Sequence, residues 1–115
     1  MSTSLVLACL LALGFTAVGV PKILALEKMR ELAAESGFPV GAYRVIGVLE
    51  VAGAAGVLLG LAVPVLGVLA GAGLLLLMAG AAITHGRKGD GLRGMAPALA
   101  CAVLAAGYLA ALIAM

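Results

Sequence analysis

Charged residues make up only 10% of this sequence, where ordinary soluble domains carry about a quarter. Seven Lys and Arg against five Asp and Glu leave a net charge of +2, too small and too scattered for nucleic-acid binding. Tryptophan is absent, and Phe15, Phe38, Tyr43 and Tyr108 are the only aromatic residues, so no platform exists on which bases could stack. Two cysteines do not make a disulfide framework. Cys9 and Cys101 fall in opposite halves of the membrane once spans are drawn, farther apart than a disulfide tolerates, and both read as small core residues. One histidine, two distant cysteines and a single deep glutamate do not reach a metal-ligand set with familiar spacing. No Walker, Rossmann or nucleophile-elbow motif occurs, because the glycines sit inside apolar helices without the strand those motifs need. No Lys or Arg precedes Lys22, so the first apolar stretch lacks the basic start of a signal peptide and reads as a retained span.

What the chain has in abundance is apolar surface. Of its 115 residues, 65% are hydrophobic, and the mean hydropathy is +1.31. A soluble globule of this size could not hide so much apolar area, whereas lipid accepts it. The reading is an all-α integral membrane protein: one domain over 1–115, an antiparallel bundle of four transmembrane helices, each about 20 residues long. Span one runs from about Ser4 to Leu24, with Pro21 bending its last turn. Leu26, Met29 and Ala33 then recur at helical spacing among Glu27, Lys28, Arg30, Glu31 and Glu35, which predicts a short amphipathic helix from Leu26 to Ser36 on the membrane surface. Gly37 and Pro39 end it. Span two covers about Ala42 to Leu61; span three opens at Pro64, which suits a first helical turn, and reaches about His85. With only Ala62 and Val63 between them, spans two and three form a tight hairpin. A polar turn from Gly86 to Gly94 leads into span four, Met95 to Met115.

All seven Lys and Arg residues lie in or at the edges of the first and third connections. The positive-inside rule places those connections in the cytoplasm and both termini outside. Gly56-x3-Gly60 and Gly67-x3-Gly71 are small-xxx-small spacings that let helix backbones approach closely, within the bundle or between protomers of a homodimer.

Glu50 is the residue most loaded with chemical meaning. It lies eight residues beyond Ala42, or about 12 Å deep at 1.5 Å per residue, too far for a carboxylate to snorkel. An unpaired charge there costs at least about 2.5 kcal/mol, so Glu50 must be protonated, paired or turned to a wet cavity. Such an acid is either a ligand, proton or substrate site, or a buried pair that fixes helix register. Tyr43, Gly47 and Glu50 share one face of span two, and Gly47 leaves room beside the carboxylate; Arg44 stands to the side as an interfacial anchor. Lys22, near the cytoplasmic end of span one, either snorkels to the surface or reaches up to Glu50. His85 closes span three on the same side, as a dipole partner at the helix end or as a ligand-binding group. The antiparallel topology brings Lys22, Tyr43, Glu50 and His85 into the same inner half. An acid, a base and a histidine around a lipophilic cavity can bind a quinone carbonyl, shuttle a proton or simply hold helices together. Tyr108 shares a face with Cys101 and Ala105 and offers its hydroxyl to the bundle interior.

In this order the chain resembles the DoxX-like family of small four-helix membrane proteins. The likeness is carried by Gly19-Val20-Pro21-Lys22 at the end of span one and by Gly37-Phe38-Pro39 before span two. It continues through Arg44, Gly47, Glu50 and Gly53, then Leu59-Gly60-Leu61 with Pro64, and Gly80 to His85 followed by a basic turn. The resemblance implies a multi-pass protein of the bacterial cytoplasmic membrane. It also implies a connection with redox systems, since some relatives are named as subunits of quinone-linked oxidoreductases acting on reduced sulfur compounds and others accompany oxidative-stress systems. More distant four-helix relatives include sterol isomerases and receptor chaperones. The expectation is therefore a membrane-embedded binding or accessory subunit for a lipophilic small molecule such as a quinone, with lipid and redox-complex subunits as partners. Its ligand site comprises Lys22, Tyr43, Gly47, Glu50 and His85. The alternative is a cofactor-free isomerase, hydrolase or cyclase on a lipophilic substrate, with Glu50 as general acid/base and His85 or Tyr43 assisting.

Overall fold

The computed structural model describes residues 2–89 and 91–114. They form five helices and, among the described residues, no strand: α1 (Ser2–Ile23), α2 (Glu27–Glu35), α3 (Val40–Leu59), α4 (Pro64–Arg87) and α5 (Gly91–Ile113). All but α2 are long and apolar enough to cross a membrane. This is the expected all-α arrangement of four spans and one short amphipathic helix. Asp90 and Met115, assigned above to the third connection and to the end of span four, lie outside the described residues.

The helices close a ring in which α1 packs on α3, α3 on α4, α4 on α5, and α5 back on α1. Inside it lie Ala8, Leu11 and Phe15 of α1, Ala54 and Val57 of α3, Leu74 and Met78 of α4, and Ala105, Tyr108 and Leu112 of α5. Large apolar side chains also cover the outside: Leu13, Leu76, Val103 and Ile113 are each 70–75% exposed, an apolar exterior that monomeric soluble proteins rarely carry. In a bilayer the same surface meets lipid, and the helices satisfy their own backbone groups.

The helix ends show how the chain turns. α2 stops in a Schellman motif: Phe38 N–H donates to the Ala33 carbonyl (2.9 Å), Gly37 N–H to Ala34 (3.1 Å), and Gly37 takes a φ of +77°. α1 stops in the same way, with Leu26 N–H on the Pro21 carbonyl (3.2 Å) and Ala25 N–H on Lys22 (3.1 Å), but here an alanine holds the left-handed position at φ +53°. α1 stays helical through Pro21 as far as Ile23, and the proline leaves out the one N–H that would otherwise donate to the Ala17 carbonyl. The third connection is shorter than the polar composition of Gly86 to Gly94 predicts. α4 continues to Arg87 and α5 starts at Gly91, because Gly89 and Gly91, both at positive φ, reverse the chain within a few residues. On α2, Glu27, Lys28, Arg30, Glu31 and Glu35 are exposed while Ala33 is buried, as the amphipathic pattern requires.

The hairpin of α3 and α4 is closed by glycines. A side chain on Gly60 would strike the Gly67 backbone and the Tyr108 hydroxyl, and one on Gly56 would strike Ala70. Both small-xxx-small spacings therefore sit at tight contacts inside the bundle. Gly71 of the second spacing faces Leu109 of α5, whose Cδ2 would lie 2.8 Å from an added Cβ. At the same end α3 stops at Leu59, and the Leu61 N–H turns to the Leu58 carbonyl (3.1 Å). The Val57 carbonyl, one of the orphan acceptors of a helix C-terminus, takes the Tyr108 hydroxyl at 2.7 Å instead. Tyr108 thus crosses the bundle interior from α5 to α3, as its position on the Cys101–Ala105 face led us to expect.

Candidate functional site: a cleft between two spans

The site begins at the crossing of α1 and α3. A Cβ on Gly47 would lie 2.7 Å from the Gly19 carbonyl oxygen and 2.8 Å from Lys22 Cβ, and one on Gly19 would lie 2.9 Å from the Gly47 carbonyl oxygen. Only two glycines allow the backbones to come this close. The Arg44 Nε donates to the Ile23 carbonyl at the open end of α1 (3.0 Å), tying the crossing from the other side. The stem of Lys22 consequently runs along α3, and its Nζ meets Glu50 Oε1 at 2.7 Å. The Glu50 side chain is 1% exposed and that of Lys22 17%. The ammonium also lies 5.4 Å from the centroid of the Tyr43 ring, two turns before Glu50 on the same helix face. Phe38 packs on the far side of Tyr43, with ring centroids 6.3 Å apart.

Beside this pair lies the seam between α3 and α4. Their contacts run from Gly60 against Gly67, through Gly56 against Ala70, to Gly53 against Leu74. Alongside these contacts, from Leu69 and Ala70 at one end to Thr84 and His85 at the other, both helices line a cleft of about 710 Å³. That volume is in the range of small-molecule sites. Its upper walls are aliphatic, with Ile46 and Leu49 from α3 and Leu69, Leu77 and Met78 from α4. Its polar groups gather at the opposite end: Lys22, Glu50, Tyr43, Ser36, Thr84 and His85. Leu49, Leu69 and Leu76 belong to both the lining and the exposed outer surface, so the mouth faces sideways, where lipid would be.

The model of the DoxX-like family matches residues 6–108. The chain belongs to the DoxX-like family. No curated protein and no solved structure matches it. Family membership and four long apolar helices make this DoxX-like chain a multi-pass membrane protein.

Of the residues singled out in the DoxX-like sequence, Lys22, Tyr43, Glu50 and His85 line one cavity. Lys22 is bound to Glu50 rather than extended alone to the surface. Gly47, also expected at the site, is not among the residues that line the cleft and lies buried against Gly19 and Lys22. The reason is angular. Gly47 and Glu50 are three residues apart, so they differ by about 60° around the helix, enough to turn the glycine onto α1 while the carboxylate borders the cleft. Arg44, expected to stand to the side of that face, donates its Nε–H to the Ile23 carbonyl at the end of α1. Cys9 is exposed on the outer surface rather than in the core, and Cys101 is half-buried.

Sequence reasoning missed Ser36, Phe38 and Thr84 as lining residues, and Gly19 as the partner of Gly47. The signal for Gly19 was present, since Gly19 lies one turn before Lys22 on the same face of α1. Thr84 was harder to find because its hydroxyl donates back to the Gly80 carbonyl (2.9 Å), a local bond that any helical threonine can make.

Chemically, the arrangement is an ion pair with zero net charge at the polar end of a greasy slot. The Lys22 ammonium has three N–H groups, and Glu50 Oε1 takes one. A ligand oxygen arriving from the cleft would meet an N–H donor, a phenol and two further hydroxyl-bearing side chains within one small region.

Proposed function

We propose that this DoxX-like protein binds a small lipophilic molecule inside the bilayer, with a quinone as the leading case, and serves as an accessory subunit of a redox system. Its ligand would lay an apolar body between α3 and α4 and turn a carbonyl oxygen toward Lys22 and Glu50. We further propose that it works in the bacterial cytoplasmic membrane with basic connections inside and both termini outside. The observation that carries the reading is the cleft: about 710 Å³, aliphatic along most of its length, polar at one end, and facing lipid sideways. A helix pair held together only for structural reasons would be expected to close over its ion pair, since a void beside buried side chains forfeits their contacts. A buried, charge-neutral pair beside an apolar slot also suits a ligand that brings hydrogen-bond acceptors without charge.

The test is titration of the purified, detergent-solubilised protein with decylubiquinone. The expected result is saturable binding that Glu50→Gln weakens about tenfold or more, the effect of disturbing a charge-assisted hydrogen bond of about 1.5–3 kcal/mol. Absence of saturable binding by the parent protein refutes the proposal. The enzyme alternative asks Glu50 to exchange protons with a substrate, whereas its carboxylate is engaged with Lys22 at 2.7 Å. Chemical turnover of an added lipophilic substrate by the isolated chain, lost in Glu50→Gln, would restore that alternative.

A further inference from the structure

We infer that Lys22 captures long-chain lipophilic aldehydes as imines (Schiff bases) in the cleft, with Glu50 taking up and returning the proton. This chemistry uses the cleft described above but needs neither a quinone nor a redox partner, so the two readings fail separately.

The chain has three lysines, Lys22, Lys28 and Lys88, and of these only Lys22 lines the cleft. Lys28 is exposed on α2, and Lys88 lies just past the end of α4. Lys22 is thus the lysine that a molecule dissolved in lipid reaches through the sideways mouth. Lysines set in apolar pockets are the ones that serve as Schiff-base nucleophiles. Here the neighbouring base is already in place. Nζ donates to Glu50 Oε1 at 2.7 Å, so a proton can pass between them with no change in net charge, and its departure frees the Nζ lone pair. The walls near the pair carry Ile46, Leu49, Leu77 and Met78, which suit an alkyl chain rather than a sugar or another polar body. α4 lines the cleft from Leu69 to His85, about 24 Å at 1.5 Å per residue, which accommodates a long chain. An aldehyde suits this amine best among carbonyls, because its carbon bears a hydrogen on one side and is the least hindered to attack.

The step balances without an oxidant or a reductant. The Lys22 ammonium gives one proton to the Glu50 carboxylate, and the Nζ lone pair forms a C–N bond to the aldehyde carbon as the C=O π bond opens. A second proton moves from Nζ to the oxygen, Glu50 returns the first, and the oxygen leaves as water carrying both. Nζ keeps its third hydrogen and becomes the cation of a protonated imine. One aldehyde enters and one water leaves, toward the polar end lined by Ser36, Thr84 and His85. The site begins and ends as one cation against one carboxylate, so no uncompensated charge is left in a low-dielectric interior. The Tyr43 ring, 5.4 Å from Nζ, faces the imine cation as it faces the ammonium.

The experiment incubates the full chain in detergent with decanal and sodium cyanoborohydride, which fixes each imine as a stable secondary amine. Mass spectrometry of the digested protein then follows alkylation of Lys22, Lys28 and Lys88 with time. Lys22 should react about tenfold or more faster than either of the others. In Glu50→Gln its rate should fall about tenfold or more while Lys28 and Lys88 keep theirs, since general acid–base help is worth at least that much. Excess decanol, which has the chain without the carbonyl, should slow Lys22 alone. Melting is recorded in parallel, and if Glu50→Gln does not fold, the decanol competition on the parent protein carries the test. Alkylation of Lys22 no faster than that of Lys28 and Lys88 overturns the inference. An undiminished rate in a Glu50→Gln variant that melts like the parent overturns the role of Glu50, and equal slowing of all three lysines by decanol overturns the cleft as the place of capture. A parent protein that captures decanal at Lys22 but binds no decylubiquinone refutes the reading above and leaves this one standing.

Discussion

Removing one member of the Lys22–Glu50 pair should destabilise the protein by an amount that depends on which member goes. Lys22→Met leaves a carboxylate whose side chain is 1% exposed, with its nearest cation gone. Breaking a buried ion pair in this way costs about 3–5 kcal/mol, and the low end applies because the lysine is 17% exposed. Glu50→Leu leaves an ammonium on a flexible stem in the last turn of α1, free to swing toward the helix end past Tyr43. That loss should be about 1–2 kcal/mol. Replacing both, as Lys22→Met/Glu50→Leu, removes the desolvated charges together and should come within about 1 kcal/mol of the parent. The assay is equilibrium unfolding in mixed micelles, followed by circular dichroism, for the parent and the three variants. Strict additivity, with the double variant as unstable as the sum of the singles, would refute the claim that the two residues compensate each other. The same set separates stability from function. A stable double variant that no longer binds decylubiquinone supports a ligand site, whereas one that retains full binding reduces the pair to a helix clamp.

Three further outcomes follow from the packing. Tyr108→Phe should cost about 1–2 kcal/mol in the same unfolding assay, because the buried Val57 carbonyl loses the partner it meets at 2.7 Å. Gly60→Ala should cost about 1–3 kcal/mol or more, since its methyl group meets the Gly67 backbone, which cannot step aside as a flexible side chain would; an unchanged midpoint would show that α3 and α4 do not touch there. Ala25→Gly should raise stability by up to about 1 kcal/mol, because alanine pays a steric penalty at φ +53° that glycine does not; a lower midpoint would mean that the α1 end adopts another turn.

Some of the candidate site was readable before any coordinates. Lys22, Glu50, Tyr43 and His85 stood out because polar groups are expensive in lipid, so each one inside or at the edge of a span demands a reason. Antiparallel topology then put them on one side. Helix-face angles say which residues are neighbours on one helix, but not which face meets which partner. Gly47, expected at the site, lies against Gly19, and Arg44 reaches across to the Ile23 carbonyl. Ser36 and Thr84 drew no notice because short hydroxyl side chains occur at helix ends and within spans for purely local reasons.

The four long apolar helices, the short amphipathic helix and the hairpin at Pro64 were all determined by sequence alone. Each depends on hydropathy summed over neighbouring residues or on local backbone chemistry, and both survive whatever the helices do to one another. Only the tertiary structure decided that Lys22 turns inward to Glu50, and that α3 and α4 meet at Gly60 and Gly67 yet border a cleft together. A cleft is a difference between two inter-helix distances. Those distances are set by side-chain contacts between residues far apart in the chain, which no local pattern encodes.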